Sequence, residues 1–156
     1  MKKGHPVGKF YEEFTVGEEF ESPGRTVTEA DLVMYSGLSG DYNQLHTDEE
    51  YSKKHNIYKT RIVHGLFGLS IAEGLKSRVG IFEGTSLASL EWSWKFKKAI
   101  LIGDTLRVKW RIQNKRETSK PDRGIVWEEV FLMNQNDEVV AEGVHVVMMR
   151  KNPDGV

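Results

Sequence analysis

The chain has 156 residues and no cysteine, a length that suits one domain with a real hydrophobic core. Lysine plus arginine (22) nearly balances aspartate plus glutamate (23), for a formal charge of −1. This excludes a disulfide framework, a thiolate metal site and a cysteine nucleophile, and it offers no basic stripe for nucleic acid.

No apolar run approaches the roughly 20 residues that span a bilayer, so no membrane association is expected. The opening Met1-Lys2-Lys3-Gly4-His5-Pro6 lacks the apolar stretch of a secretory leader, which makes a cytoplasmic location the expectation. There is no internal repeat and no low-complexity linker, so residues 1–156 read as a single domain with its core over about 11–150.

Thr28 followed by Asp31 has the spacing of a capping box. It predicts a short helix through Leu32, Val33 and Tyr35, ended by Gly37 and Gly40. A second short helix is expected to start near Thr47 or Asp48, with acids in its first turn where the macrodipole favours them. From about Ile62 to about Val79 a longer helix is apolar on two sides: Ile62, Leu66 and Leu69 on one, Val63, Phe67, Ile71 and Leu75 on the other. Such a helix has to be wrapped by protein, and polar residues from Lys76 onward suggest that it emerges into water there.

Strands follow. Ala88, Leu90, Trp92, Trp94 and Phe96 alternate with polar residues, as do Leu106, Val108, Trp110 and Ile112. Period-two patterning predicts a sheet with one face buried and one solvated. Gly103-Asp104 between them suits a tight connection. Ile125–Met133 and Val139–Met149 give two more strands, joined by a turn at Asn136-Asp137, and their weaker alternation suits central positions or a partner-facing surface. The class is therefore α+β, a curved antiparallel sheet folded around one long central helix. Phe67, Leu69 and the Trp92/Trp94 face are read as packing rather than as a ligand pocket.

The segment Ser39-Gly40-Asp41-Tyr42-Asn43-Gln44-Leu45-His46 lies in a loop between the first two helices. Asp41 and His46 have the chemistry to hold one water between them, one group taking its proton and the other delivering a proton to carbon. Gly-Asp-x-Asn is also ordinary turn chemistry, in which Asp41 and Asn43 cap backbone amides. Further on, Arg61-Ile62-Val63-His64-Gly65 leads into the long helix. Gly65 permits a close approach to free amides suited to an oxyanion. His64 is either a site residue or a histidine hydrogen-bonded near a helix end. Glu73 falls on an apolar stripe and calls for a raised pKa or a cationic partner from the sheet or a neighbouring subunit. The basic loop from Lys115 to Arg123 is either a phosphate contact or a solvated hairpin tip.

Tyr35-Ser36-Gly37-Leu38-Ser39-Gly40-Asp41-Tyr42-Asn43-Gln44-Leu45-His46, with Ser52 beyond it, resembles the hydratase motif of the (R)-specific enoyl-CoA hydratases, members of the MaoC-like dehydratase family. Ile62-Val63-His64-Gly65-Leu66 resembles the family's next block, and Arg116 to Gly124 a further stretch, within a similarity from about Tyr11 to about Arg150. The resemblance implies a hot-dog fold, an enoyl-CoA or 3-hydroxyacyl-CoA substrate, and a homodimer or trimer of dimers. It assigns Asp41 and His46 as the water-holding dyad, Gly65 as oxyanion donor and Asn43 as support for the loop; His64 and Arg123 stand beside them as supporting or substrate-binding candidates from the residues themselves. CoA belongs to the substrate, and no metal or other cofactor is implied. Two positions depart from the pattern: Gln44 stands where the motif has proline, and Glu73 where the long helix often has serine. Glu73 keeps open an acyl-CoA thioesterase as the alternative, and a non-catalytic acyl-CoA-binding accessory subunit is the other.

Overall fold

Four long strands dominate the chain because their apolar residues repeat every second position. The computed structural model describes residues 8–154; the Met1–Pro6 segment read for a leader lies outside the described residues. After a 3-10 turn (Tyr11–Glu13) come strands β1 (Glu19–Glu21) and β2 (Arg25–Thr26). Helices α1 (Glu29–Ser39), α2 (Gln44–Thr47), α3 (Glu49–His55) and α4 (Gly65–Ser77) follow. Strands β3 (Ser86–Phe96), β4 (Thr105–Glu117), β5 (Arg123–Met133) and β6 (Val139–Arg150) complete the fold.

The strands pair antiparallel in the order β1-β4-β5-β6-β3, with β2 also on β4. The less alternating pair, β5 and β6, is central, as expected. The sheet curls over α4, whose Ile71, Ala72 and Leu75 pack with Leu106, Val108, Trp110, Val130 and Leu132. The capping box of α1 forms: Asp31 N–H donates to Thr28 Oγ1 and Thr28 N–H donates to the Asp31 carboxylate. Gly40 closes that helix in the left-handed conformation (φ 74°). Asp48 caps α3 by accepting from Tyr51 N at 2.8 Å.

Three expectations need correction. First, β3 and β4 are not joined by a tight turn, because β3 pairs with β6 and lies at the far edge from β4. Gly103 does turn the chain (φ 97°), but only after residues 97–102 have crossed the sheet's end. On the way Lys97 and Lys98 N–H donate to Val140 O, and Val63 N–H donates to Ile100 O. Second, β3 does not bury one clean face. A bulge between Ser89 and Glu91 breaks its register, and Leu90 and Phe96 stay 46% and 59% exposed.

Third, Lys76 does not emerge into water; it is fully buried. Four residues after Ala72 and one after Leu75, it continues the core stripe of α4. Its Nζ lies 2.7 Å from Glu128 Oε2 and 3.0 Å from His145 Nδ1. His145 Nδ1 is 2.8 Å from the same Glu128 oxygen, and its Nε2 is 2.8 Å from Ser89 Oγ. The Trp92 ring stacks on His145 at 4.2 Å, and the Lys76 ammonium also lies 5.2 Å from the Trp92 centroid. Burial alone pushes the Glu128 carboxyl up, but the Lys76 charge and the hydrogen bonds from His145 and Lys76 outweigh it and hold the group below its ordinary value.

Removing one partner of a buried ion pair leaves an uncompensated charge, so Lys76→Met is expected to cost about 3–5 kcal/mol. Lys76→Met with Glu128→Leu restores much of that loss, while Lys53→Met on the surface changes stability by under about 0.5 kcal/mol. Urea unfolding at pH 7 measures all three. A carboxyl whose folded pKa is depressed contributes stability above its unfolded value of 4.5, and that contribution is lost as pH falls through the folded value. Glu128→Gln therefore starts less stable at pH 7 and declines less steeply than wild type below pH 4.5.

Candidate active site

The loop after α1 is built by its own short side chains. Ser39 Oγ donates to Tyr35 O at 2.7 Å and accepts from Asp41 N at 3.2 Å. Asp41 Oδ1 accepts from Asn43 N at 3.1 Å, and Asn43 Oδ1 caps α2 by accepting from Leu45 N at 3.0 Å. Thr47 Oγ1 donates back to the carbonyls of Tyr42 and Asn43. The turn chemistry seen in the sequence is therefore real, and it uses only one of the two Asp41 carboxylate oxygens.

The other oxygen faces two imidazoles. Asp41 Oδ2 lies 4.0 Å from His46 Nε2 and 3.9 Å from His64 Nε2. His46 is buried, and its Nδ1–H donates to Ile62 O at 2.7 Å. A carbonyl only accepts, so this bond fixes the His46 tautomer and leaves the Nε2 lone pair pointing at Asp41. At 4.0 Å the carboxylate and imidazole do not hydrogen-bond directly. The gap suits one water bridging them.

His64 is the N-cap residue of α4 and is 3% exposed. Its ring stacks on His46 with centroids 3.8 Å apart and planes 25° apart. Its Nε2 donates to Asp41 O at 3.0 Å, with Ser36 Oγ at 3.5 Å, while its Nδ1 is buried without a partner among the described residues. Among the described residues, Asp41, His46 and His64 form the one group whose ligand atoms could hold a metal ion, all within 4.8 Å of one another.

Gly65 opens α4, and no side chain caps the helix there. The first-turn amides have no intrahelical acceptor; the first helical bond is Gly68 N–H to His64 O. The glycine is required by packing as well. A Cβ at Gly65 would stand 2.6 Å from the Phe96 ring. His46 and Gly65 line one pocket of about 430 Å³, walled by Ile62, Leu66, Phe96, Ile100, Val140 and Ala141, with Tyr58, Lys97 and Lys98 also on its lining.

The remaining sequence candidates lie elsewhere. Glu73 is eight residues along α4 from Gly65, about 12 Å. It borders a separate cavity of about 280 Å³ with Ser77, Phe82, Ser86 and His145. Its cationic partner is Lys76 at 3.5 Å, on its own helix rather than on the sheet or another subunit. Its side chain is 46% exposed, so the apolar stripe expected around it is absent. Arg123 pairs with its neighbour Asp122 and sits opposite Arg150, at the end of β6 farthest from Val140 in the dyad pocket. Ten residues of strand separate those ends, roughly 33 Å. Within one chain, Arg123 and the dyad do not meet. Sequence reading missed the pocket walls from Tyr58 and the 97–100 crossing, which carry no local pattern, and the Tyr35, Ser36 and His64 packing behind the dyad.

Comparison with known proteins identifies the family and the fold. The family described as MaoC like domain matches residues 12–131. The chain is 36% identical to Protein MaoC of Klebsiella aerogenes over 119 residues, 76% of this chain and 34% of that protein. It is 33% identical to the (R)-specific enoyl-CoA hydratase of Rhodospirillum rubrum over 98 residues, 62% of this chain and 65% of that protein. The chain thus spans about a third and just under two thirds of these relatives' lengths. Among solved structures, the unliganded R-hydratase of Pseudomonas aeruginosa superposes with a TM-score of 0.71 at 26% identity, covering 92% of this chain and 86% of that one. A Mycobacterium tuberculosis protein with a double hotdog fold gives a TM-score of 0.83 at 19% identity, covering 96% of this chain and 46% of that one. The sheet wrapped around α4 is the hot-dog fold, and the chain belongs to the family of MaoC-like dehydratase domains.

Proposed function

We propose that the chain is an (R)-specific enoyl-CoA hydratase / 3-hydroxyacyl-CoA dehydratase, adding water reversibly across the double bond of a 2-enoyl-CoA thioester. One observation carries the reading: Asp41 Oδ2 and His46 Nε2 face each other across 4.0 Å beside a mostly apolar pocket. Similarity to the Rhodospirillum hydratase supports it.

In the proposed step, a water held between Asp41 and His46 attacks C3 of the enoyl group. His46 Nε2 takes a proton from the water as the C–O bond forms, and the dyad returns a proton to C2. Oxygen and proton thus both come from water, and the enzyme ends as it began. Negative charge develops on the thioester oxygen during attack. The Gly65 amide, at the positive end of α4 and without an intrahelical acceptor, is the donor placed to meet it. Asn43 keeps α2 capped and so keeps His46 in place. No metal or redox group enters this scheme.

The thioesterase alternative gains nothing from the geometry around Glu73, which shares no cavity with the dyad. The accessory-subunit alternative is disfavoured by the intact pairing of carboxylate, imidazole and pocket.

The proposed enzyme works as a homodimer. The outer side of β3 has no strand beside it, and Leu87, Leu90 and Phe96 are exposed along it. A second copy on that edge would cover apolar surface and pair free backbone groups. It is also the route by which a partner's basic loop approaches a dyad pocket that this chain's own Arg123 does not reach.

Two experiments test the reading. Wild-type protein with crotonyl-CoA is expected to gain one water without releasing CoA. Asp41→Asn and His46→Gln each lower kcat by roughly 10²–10⁴-fold, the usual worth of a general acid or base. Mass spectrometry of the products scores both reactions at once, and free CoA lost in Glu73→Gln would move the chemistry to the thioesterase. For assembly, sedimentation equilibrium is expected to give twice the chain mass of 17.9 kDa, falling toward 17.9 kDa in Leu90→Glu. A wild-type protein that sediments at the single-chain mass would remove the dimer.

A further inference from the structure

His64 has three features that a merely packed histidine does not combine. Its Nε2 is 3.0 Å from the main-chain carbonyl of Asp41, which only accepts, so the proton sits on Nε2. Its Nδ1 is buried and has no hydrogen-bond partner among the described residues. Its flat face lies 3.8 Å from the ring of His46, while Tyr35 packs at 4.9 Å.

These features fix the state of the ring. A proton on Nδ1 would bury an N–H with nothing to accept it, and as a cation it would stand against the imidazolium that His46 becomes during turnover. The hydrogen bonding therefore places the ring proton on Nε2 rather than on Nδ1. The stacked ring walls one face of His46 and limits how far its imidazole can tilt. At the same time the Nε2–H bond ties down the main chain of Asp41, whose own side chain is half exposed at the tip of a loop. Phenylalanine would supply the face without the donor, and glutamine the donor without the face.

We propose that His64 is a positioning residue for the hydration dyad: it pins the Asp41 main chain through Nε2–H and backs His46 with a stacked ring, so that the carboxylate and imidazole keep the separation one water needs. This rests on the hydratase reading for its kinetic consequence, though not for the state of the ring.

The test has two arms. In solution at pH 7, ¹⁵N-resolved NMR of wild type is expected to show His64 with hydrogen on Nε2, and His46 with hydrogen on Nδ1. A His64 ring carrying hydrogen on Nδ1, alone or together with Nε2, overturns the proposal whatever the protein catalyses. In the second arm, His64→Phe and His64→Gln are each expected to lower kcat on crotonyl-CoA by roughly 10–100-fold, with KM within about twofold, as misplacement of a reacting group does. Wild-type kcat in either variant, or a raised KM at unchanged kcat, overturns it. Each variant's fold is checked by near-ultraviolet circular dichroism, and if one fails to fold, the other and the NMR arm decide. Wild-type protein inert toward every enoyl-CoA would sink the hydratase reading alone, since the tautomer is read without turnover.

Discussion

A helix packed under a sheet has to satisfy the polar groups on its buried side without water, and α4 meets this differently at its two ends. At its start no side chain among the described residues caps it, and Gly65 and Leu66 line the pocket beside His46. Near its end, Lys76 is fully buried and is tied to Glu128 on β5 and His145 on β6. The second arrangement makes the first possible. With its last turn pinned to two central strands by a charged group and stacked aromatic rings, the helix cannot slide or rotate to bury its N-terminus. Unpaired amides at a helix start then stand as a fixed feature of the pocket rather than as a frayed end.

The loop after α1 shows how little it takes to convert turn chemistry into a reactive arrangement. Asp41 has two oxygens, and the Asx turn consumes one. The turn therefore orients the carboxylate instead of competing with its other use. His46 follows the same economy: Nδ1 is spent on Ile62 O, which leaves Nε2 defined as an acceptor. Each side chain contributes one atom to the scaffold and one to the proposed chemistry. Gln44, at the motif's proline position, costs nothing visible here, because Ser39, Asn43 and Thr47 already hold the loop through local hydrogen bonds.

What could be read from the sequence divides along physical lines. Local rules worked where local interactions decide: the Thr28–Asp31 box, the cap at Asp48 and the turn at Asn136-Asp137 all formed. The dyad loop was visible because its spacing is itself a motif. Lys76 was misread because its charge was given more weight than its phase. It sits four residues after Ala72 on the core stripe, and Glu128 likewise occupies the inward series Val126, Glu128, Val130, Leu132. Two opposite charges, each on a buried register of its own element, were a signal for a buried pair. The β3–β4 connection failed for the converse reason. Gly103-Asp104 is a genuine turn, but a turn signal does not say which strands become neighbours, and only the complete sheet order does.

The same crossing explains why substrate preference is the part least legible in the sequence. The proposed chemistry depends on a loop and a helix start whose geometry is written in local hydrogen bonds. The proposed acyl pocket instead is closed by Phe96, Ile100, Val140 and Ala141, brought together where residues 97–102 cross the sheet's end. None of these positions follows a helical or strand period that separates a pocket wall from core packing. Their side chains also bear no part of the proposed proton transfers, so changes in their size alter which acyl groups fit without disturbing Asp41 or His46. In the proposed scheme the fold thus separates reaction from selectivity: hydrogen bonds on one wall of the cavity hold the dyad, and apolar volume on the other sets what enters.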